Sequence, residues 1–276
     1  MNIQSRVNPV IINYCTPILA MKCVESIVRM GVANKNDIIV VDNASPDDSA
    51  SILALELDGV QLICSERNGG FSSGINIGVR AANLEYVLVL NPDTYFIDES
   101  IDQALEVLDT KPEVGLVGLN LIYPDGSRQY SARRFYSMLD IIARRLPLGR
   151  YWPLKKRLER HMMISDWVSG LPFDADWVMG TGFIIRRDLF EKIGGMDESY
   201  FLYMEDVDLC ARVWGEGYRV VCVPEAKLVH DHQRSSAAGP FSAAGRLHLQ
   251  SLVTFRKKYS VPLLRPPGVE RVHLKK

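Results

Sequence analysis

The chain is short of most features that settle a protein's class at a glance. Cysteine is sparse and scattered: Cys15, Cys23, Cys64, Cys210 and Cys222 are odd in number, with no CxxC or Cys/His spacing. That excludes a zinc finger and a disulfide framework, and it fits a reducing, cytoplasmic setting. No run of about twenty apolar residues occurs, so no membrane-spanning helix is expected. The opening stretch, MNIQSRVNPVIINYCTP, holds one short apolar run broken by Asn13, which is not a signal-peptide pattern. Neither sign of charge is in excess. A formal net charge of −1 argues against nucleic acid or another polyanion as partner. Internal repeats and low-complexity tracts are also missing. The segment after the first apolar run, NYCTP, has no glycine, which weighs against the dinucleotide fingerprint of an oxidoreductase.

What is present is a large core and a regular rhythm. The 276 residues are 47% hydrophobic, enough to bury one large domain or two small ones. Short β-branched runs at residues 7–13, 38–41, 60–64, 86–90 and 114–120 read as buried strands. Amphipathic stretches at 18–30, 49–57, 75–82 and 100–108 read as the helices between them. This alternation predicts an α/β fold with a mainly parallel central sheet and helices on both faces. In such sheets ligands bind beyond the carboxyl ends of the strands. The polar segments DNAS, ERNGG and NPD fall at those ends.

After residue 120 the rhythm breaks. YPDG at 123–126 reads as a hairpin turn, and residues 133–161 as a basic, amphipathic insert. Residues 176–185 form a strand-like run with two glycines, and 218–223 a last strand. A helix follows over 241–259, then a basic tail over 261–276. Between these lies GGMDESYFLYMEDVDLCAR, where Glu205, Asp206 and Asp208 open a helix behind a wall of aromatics. Val207, Cys210, Ala211 and Trp214 make its apolar face, and Asp208 with Arg212 is read as a pair on the outer face. Asp206 falls on neither face cleanly and can point into a cleft. The plainer reading is that acids favour a helix's first turn because the macrodipole stabilises them there.

Other candidates carry similar alternatives. Asp42 and Asn43 follow a strand, where a carboxylate can bind a ribose or base, or form an Asx turn. Arg67, Asn68 and Gly69 open a glycine-rich segment that can approach a ligand closely, and Arg67 can meet a phosphate or base. Gly74 and Gly78, further along, are read as close helix–sheet packing. Asn91 and Asp93 sit on a turn at a strand end, a place that suits a hard divalent cation bridging phosphates. His230 can complete such a site if its strand ends near Asp93. Trp177 and Gly180 can shape an acceptor side, an indole face stacking on a sugar, or Trp177 can be core.

Five segments occur together and in order: VDNAS, ERNGGFSSGINIGVRAA, LVLNPDT, the acidic block and VPEAKLVHDH. In this the chain resembles the family 2, GT-A-type inverting glycosyltransferases, and within them the bacterial rhamnosyltransferase-like branch. The resemblance implies a single GT-A domain over 1–260, with a nucleotide-sugar half (about 1–120) and an acceptor half (about 121–260). It implies transfer of rhamnose or another hexose from a dTDP- or UDP-sugar to a glycan acceptor, plausibly polyprenyl-diphosphate-linked, with Mg²⁺ or Mn²⁺ as cofactor. Asp42, with Asn43, Arg67, Asn68, Gly69 and Asn91, would lie on the donor side. Asp93 would be the surviving carboxylate of the DxD-type motif and His230 a metal-side ligand. Asp206 would be the base, with Glu205, Trp177 and Gly180 towards the acceptor. Asn91 departs from the pattern, standing where the family often has an acid. The rivals are a nucleotidyltransferase on a similar sheet and a catalytically inactive glycan-binding subunit. The basic insert, together with Lys257, Lys258, Arg265, Lys275 and Lys276, is read as a face for an anionic membrane surface, giving peripheral association.

Overall fold

A computed structural model describes residues 5–145, 154–231, 242–264 and 269. Of the stretches read above, residues 146–153 of the basic insert, the last residue of VPEAKLVHDH, residue 241 and most of the basic tail, with Arg265, Lys275 and Lys276, lie outside that set. The first half runs β1 (Val7–Asn13), α1 (Pro17–Arg29), β2 (Ile39–Asp42), α2 (Ser49–Glu56), β3 (Gln61–Cys64), α3 (Gly70–Ala81), β4 (Tyr86–Leu90), β5 (Thr94–Tyr95), α4 (Ile101–Thr110) and β6 (Val114–Ile122). The second half continues with β7 (Ala132–Arg133), α5 (Met138–Arg145), α6 (Leu154–His161), α7 (Ile164–Val168), β8 (Phe173–Asp174), β9 (Trp177–Val178) and β10 (Gly182–Arg186). It closes with α8 (Arg187–Lys192), α9 (Glu205–Gly215), β11 (Arg219–His230) and α10 (Ala243–Lys258).

The strands build a nine-stranded sheet in the order β3-β2-β1-β4-β10-β6-β11-β5, with β8 also paired to β11. β3, β2, β1 and β4 are mutually parallel, as are β6 and β11. β10 is the reversed strand between the two groups, antiparallel to both β4 and β6. The continuous apolar runs are explained by burial on both faces. In β4, Val87 and Val89 enter one core while Tyr86, Leu88 and Leu90 enter the other. β1 divides likewise, with Val10 and Ile12 against Val7 and Ile11.

Most boundaries differ from the sequence reading by one or two residues, and four of the differences have a local reason. Helix α3 starts at Gly70, five residues before the predicted 75, because the glycines are part of the helix and its start. A Cβ at Gly78 would run into Val10 of β1, so the packing reading of that glycine stands. The predicted run 176–185 is two strands, β9 and β10, separated by a turn at 179–181. The last strand passes 223 and reaches His230. A register shift between Val223 and Lys227 accommodates Pro224, whose carbonyl accepts from Asn120 Nδ2 at 2.6 Å. Helix α10 begins at Ala243 because the Ser242 side chain caps it, accepting from the Gly245 N–H at 3.0 Å.

Candidate active site

The donor-side residues gather at the ends of β1 and β2. Asp42 is buried, and its carboxylate accepts from Asn13 Nδ2 (2.8 Å), Ser45 Oγ (2.6 Å) and the Ser45 N–H (3.0 Å). The Asx-type turn of the sequence reading is therefore formed, and it holds the loop after β2 rigid. Asn43 reaches across to the glycine-rich segment: its Nδ2 donates to Asn68 Oδ1 (3.1 Å) and to the Gly70 carbonyl (3.0 Å). Its own Oδ1 is buried with no hydrogen-bond partner. Asn68 Oδ1 also accepts from the Gly70 N–H at 3.0 Å, and Arg67 beside it is exposed. Gly69, the N-cap of α3, lies against Ser73.

Gly70 ties this region to the acidic block. Its φ is +84°, and a Cβ there would overlap the backbone of Phe201. The next residue, Phe71, donates its N–H to the Phe201 carbonyl at 3.0 Å. Two motifs some 130 residues apart in the chain thus meet backbone to backbone.

The turn after β4 places Asp93 beside the end of β11, where His230 pairs with Thr94. Asp93 Oδ2 lies 3.4 Å from His230 Nε2, and the Asp93 carbonyl accepts from the Asp231 N–H at 2.9 Å. The expected juxtaposition of Asp93 and His230 is present. Asp93 Oδ1 is buried with no hydrogen-bond partner. A carboxylate with an unsatisfied buried oxygen, next to an imidazole nitrogen, is a donor set that fits Mg²⁺ or Mn²⁺. Among the described residues no group of three or more His, Cys, Asp or Glu could hold a metal. Such an ion would therefore draw its remaining ligands from a substrate diphosphate and water. Asn91 contributes backbone: its N–H donates to the Thr181 carbonyl (3.0 Å) and its carbonyl accepts from Thr94 Oγ1 (2.7 Å).

That contact with Thr181 links the Asp93 turn to the acidic helix. One residue before Thr181, the Gly180 N–H donates to Asp206 Oδ2 at 3.0 Å, while the Val207 N–H donates to Asp206 Oδ1 at 2.8 Å. The residues leading into α9 are strained. Tyr203 and Met204 are both left-handed, with φ of 70°, which costs about 1–3 kcal/mol each. The strain delivers Glu205 and Asp206 side by side. Asp206 is half-buried. Burial raises its pKa above the ordinary aspartate range, and the two backbone N–H groups only partly offset that. Glu205 is buried, and Oε2 has no hydrogen-bond partner. Burial first, then the neighbouring Asp206 charge, pushes its pKa well up. Asp208 belongs to the core rather than to an outer face. It is fully buried, and it accepts from Arg212 Nε (2.8 Å), Tyr259 OH (3.0 Å) and Lys258 Nζ.

Other parts of the sequence reading are corrected by packing. Trp177 is 4% exposed, its indole N–H donates to the Arg134 carbonyl, and its ring lies against Tyr136 and His161. The indole is core and offers no open face to a sugar. Gly180 sits between Asp206 and Phe71. The insert is less of a surface than its charge implies. Arg133 is buried, its guanidinium 5.7 Å from the centre of the Trp177 ring, and its charge favours the ionised form of Asp206. Arg134 pairs with Asp176, Arg157 with buried Asp140, and Lys258 with Asp197 as well as Asp208. Gln129 had no signal in the sequence. It contacts His230, 101 positions away, through Oε1 at 2.7 Å from Nδ1.

The sheet order with its reversed strand is that of the GT-A fold, shared with solved glycosyltransferases. Solved structures with this fold include PcManGT, a mannosyltransferase from Pyrobaculum calidifontis in complex with GDP-Man and Mn²⁺. It matches at a TM-score of 0.58 and 17% identity over 84% of this chain and 59% of that one. GalNAc-T7, solved with UDP, GalNAc and Mn²⁺, matches at a TM-score of 0.61 and 16% identity over 90% of this chain and 48% of that one. The family model for glycosyl transferase family 2 matches residues 19–194, and the chain belongs to that family. A second model, the N-terminal domain of galactosyltransferase, matches residues 160–233. The chain is 29% identical to the N-acetylglucosaminyl-diphospho-decaprenol L-rhamnosyltransferase of Mycobacterium tuberculosis, over 81% of this chain and 75% of that protein. It is 30% identical to the rhamnosyltransferase WbbL of Escherichia coli K12, over 68% of this chain and 69% of that protein. It is 25% identical to the dTDP-rhamnosyl transferase RfbF of Shigella flexneri, over 70% of this chain and 59% of that protein.

Proposed function

We propose that the chain transfers a deoxyhexose, with rhamnose as first choice, from a dTDP- or UDP-sugar to a glycan acceptor with inversion at the anomeric carbon. The acceptor is proposed to be a polyprenyl-diphosphate-linked glycan in cell-surface polysaccharide synthesis, in keeping with the name of the mycobacterial relative. The observation that carries the reading is the backbone link between the two polar centres. The 180–181 turn receives the Asn91 N–H and gives the Gly180 N–H to Asp206. The donor's diphosphate end and the base are thereby held on one rigid edge of the sheet.

In this reading Asp206 takes the proton of the acceptor hydroxyl as that oxygen attacks the anomeric carbon, opposite the departing nucleoside diphosphate. Its raised pKa makes it a stronger base than an exposed aspartate. The N–H groups of Gly180 and Val207 keep its carboxylate aimed. Glu205, beside it, is pushed up by burial and by the Asp206 charge, which disfavours a second negative charge in the cleft. Asp42, Asn43, Asn68 and the exposed Arg67 line the nucleoside side. Asp93 and His230 would hold Mg²⁺ or Mn²⁺, which when bound neutralises charge on the leaving diphosphate. A panel of dTDP- and UDP-sugars, with nucleotide release as readout, tests the reading before and after stripping with EDTA. Release only from a metal-replete enzyme and only with certain sugars is expected. No release from any donor, with or without an acceptor glycan, would refute the transferase reading of this site. Full activity in the stripped enzyme would refute its metal part alone.

A further inference from the structure

The left-handed pair ahead of α9 needs a restraint from outside that helix. Tyr203 and Met204 both have φ of 70°, and such conformations persist only where their surroundings over-determine them. Met204 is the N-cap of α9, yet its side chain makes no capping hydrogen bond. On one side of the turn stands α3, whose Phe71 N–H holds the Phe201 carbonyl. On the other side stands α10. Ser251 of that helix is buried, and its hydroxyl donates to the Leu202 carbonyl at 2.8 Å. One turn earlier on α10, the His248 ring lies against that of Tyr203, with centroids 5.1 Å apart. A serine inside a helix ordinarily turns its hydroxyl back on the helix's own carbonyls or out to water. This one is directed to a different segment.

The bond falls on the peptide plane that carries the strain. The Leu202 carbonyl belongs to the 202–203 peptide, and rotating that plane changes ψ of Leu202 and φ of Tyr203 together. A hydroxyl fixed on this oxygen therefore holds the left-handed φ of Tyr203 directly. The anchor is itself rigid. Ser251 shares the inner face of α10 with Leu252, Phe255 and the following Tyr259, all buried. Lys258 Nζ pairs with Asp197 at 2.6 Å and with Asp208, and Tyr259 OH donates to Asp208 at 3.0 Å. α10 is thus fastened to α9 at Asp208 and to the turn before α9 at Leu202. We propose that Ser251 is a positioning residue that holds the 201–204 turn in its left-handed form and so keeps Asp206 aligned with the Gly180 N–H. It acts through the turn and not on the reacting atoms. This inference rests on the reading of Asp206 as the base given above.

The test uses the full chain. Hydrogen exchange read by mass spectrometry reports on residues 201–208. Turnover is read as dTDP release from dTDP-rhamnose, or as nucleotide release from whichever sugar of the panel above turns over. Ser251→Ala removes the hydroxyl. Ser251→Cys, whose thiol is only a weak donor, takes its place if the Ala variant fails to fold. Either should speed exchange in 201–208 without speeding it elsewhere, and should lower kcat about 10–100-fold at an unchanged donor KM. That is the scale of effect expected when a remote change misplaces a reacting group by about 1 Å. Ser251→Thr restores the hydroxyl and should recover both. Faster exchange along the whole chain, with donor KM moving too, would make Ser251 a purely structural residue and overturn the proposal. Wild-type kcat in the Ala or Cys variant would overturn it as well. Asp206→Asn separates the two readings. If Asp206→Asn loses turnover while Ser251→Ala keeps it, only the positioning role falls. If Asp206→Asn turns over normally, the base reading falls and the positioning role with it. No turnover from any sugar of the panel refutes the transferase reading and this inference together.

Discussion

At the scale of single residues, the two adjacent carboxyls of α9 are proposed to have different tasks and should respond differently to mutation. Asp206→Asn keeps the shape and removes the proposed base, so turnover should fall by about 10²–10⁴ while donor binding is nearly unchanged. Steady-state kinetics alongside donor titration would check it, and near-normal turnover would end the assignment. Glu205 makes the contrasting case. Its pKa is raised in the folded protein above the unfolded value of about 4.5, so the native state binds the extra proton. Its contribution to stability is complete below the unfolded pKa and is lost as pH rises through the folded one. Glu205→Gln, which imitates the protonated form, should therefore leave the melting temperature unchanged at pH 4 and raise it at pH 8. Thermal melts across that range would show it. A variant less stable than wild type at pH 8 would mean that Glu205 is charged and paired in the native state.

At the scale of elements, the junction between α3 and the residues before α9 is the most exposed to damage. Gly70→Ala puts a side chain at φ +84° and against the Phe201 backbone. A loss of about 1–3 kcal/mol is expected, with donor affinity falling as Asn43 loses its Gly70 carbonyl. Denaturant melts and donor titration would measure both. Much of the element plan was legible from sequence. β1 and β4 have the bounds read from their apolar runs, because strands buried on both faces announce themselves. The turn that splits 176–185 was hidden, since Gly180 and Gly182 sit within an otherwise strand-like run. The extension of β11 was hidden because Pro224 reads as a stop unless a bulge absorbs it. In the candidate site, Asp206 and Asp93 stood at the start and end of readable elements, while His230 was picked out only within VPEAKLVHDH, beyond the strand as read. Gln129 was not legible, because its contact with His230 is made only across the sheet.

At the scale of the molecule, surface charge and sheet order matter most. No helix among the described residues is long and apolar enough to cross a membrane. A basic, partly apolar face is nonetheless present, on α10 more than on the insert. Leu249 and Val253 are exposed there, with exposed Arg246, Arg256 and Lys257 around them. Each such charge near an anionic leaflet is worth on the order of 1 kcal/mol. Co-sedimentation with anionic vesicles at low salt, lost at high salt and on neutral vesicles, is the expected pattern. Equal, negligible binding in all conditions would remove the membrane from the account.

The reversed strand has a further consequence. Because β10 is the shared partner of β4 and β6, the first half of the chain has no independent boundary. A fragment ending after β6 would leave YVLVL of β4 unpaired on one side and the apolar length of β6, which also loses β11, unpaired on both. Long apolar edges of this kind recruit other chains. Size-exclusion chromatography of residues 1–124 should therefore give aggregates rather than a nucleotide-binding monomer, and adding residues 177–192 as a separate peptide should reduce them. The strand that joins the two parallel groups is also the one that covers the apolar edges each would otherwise expose.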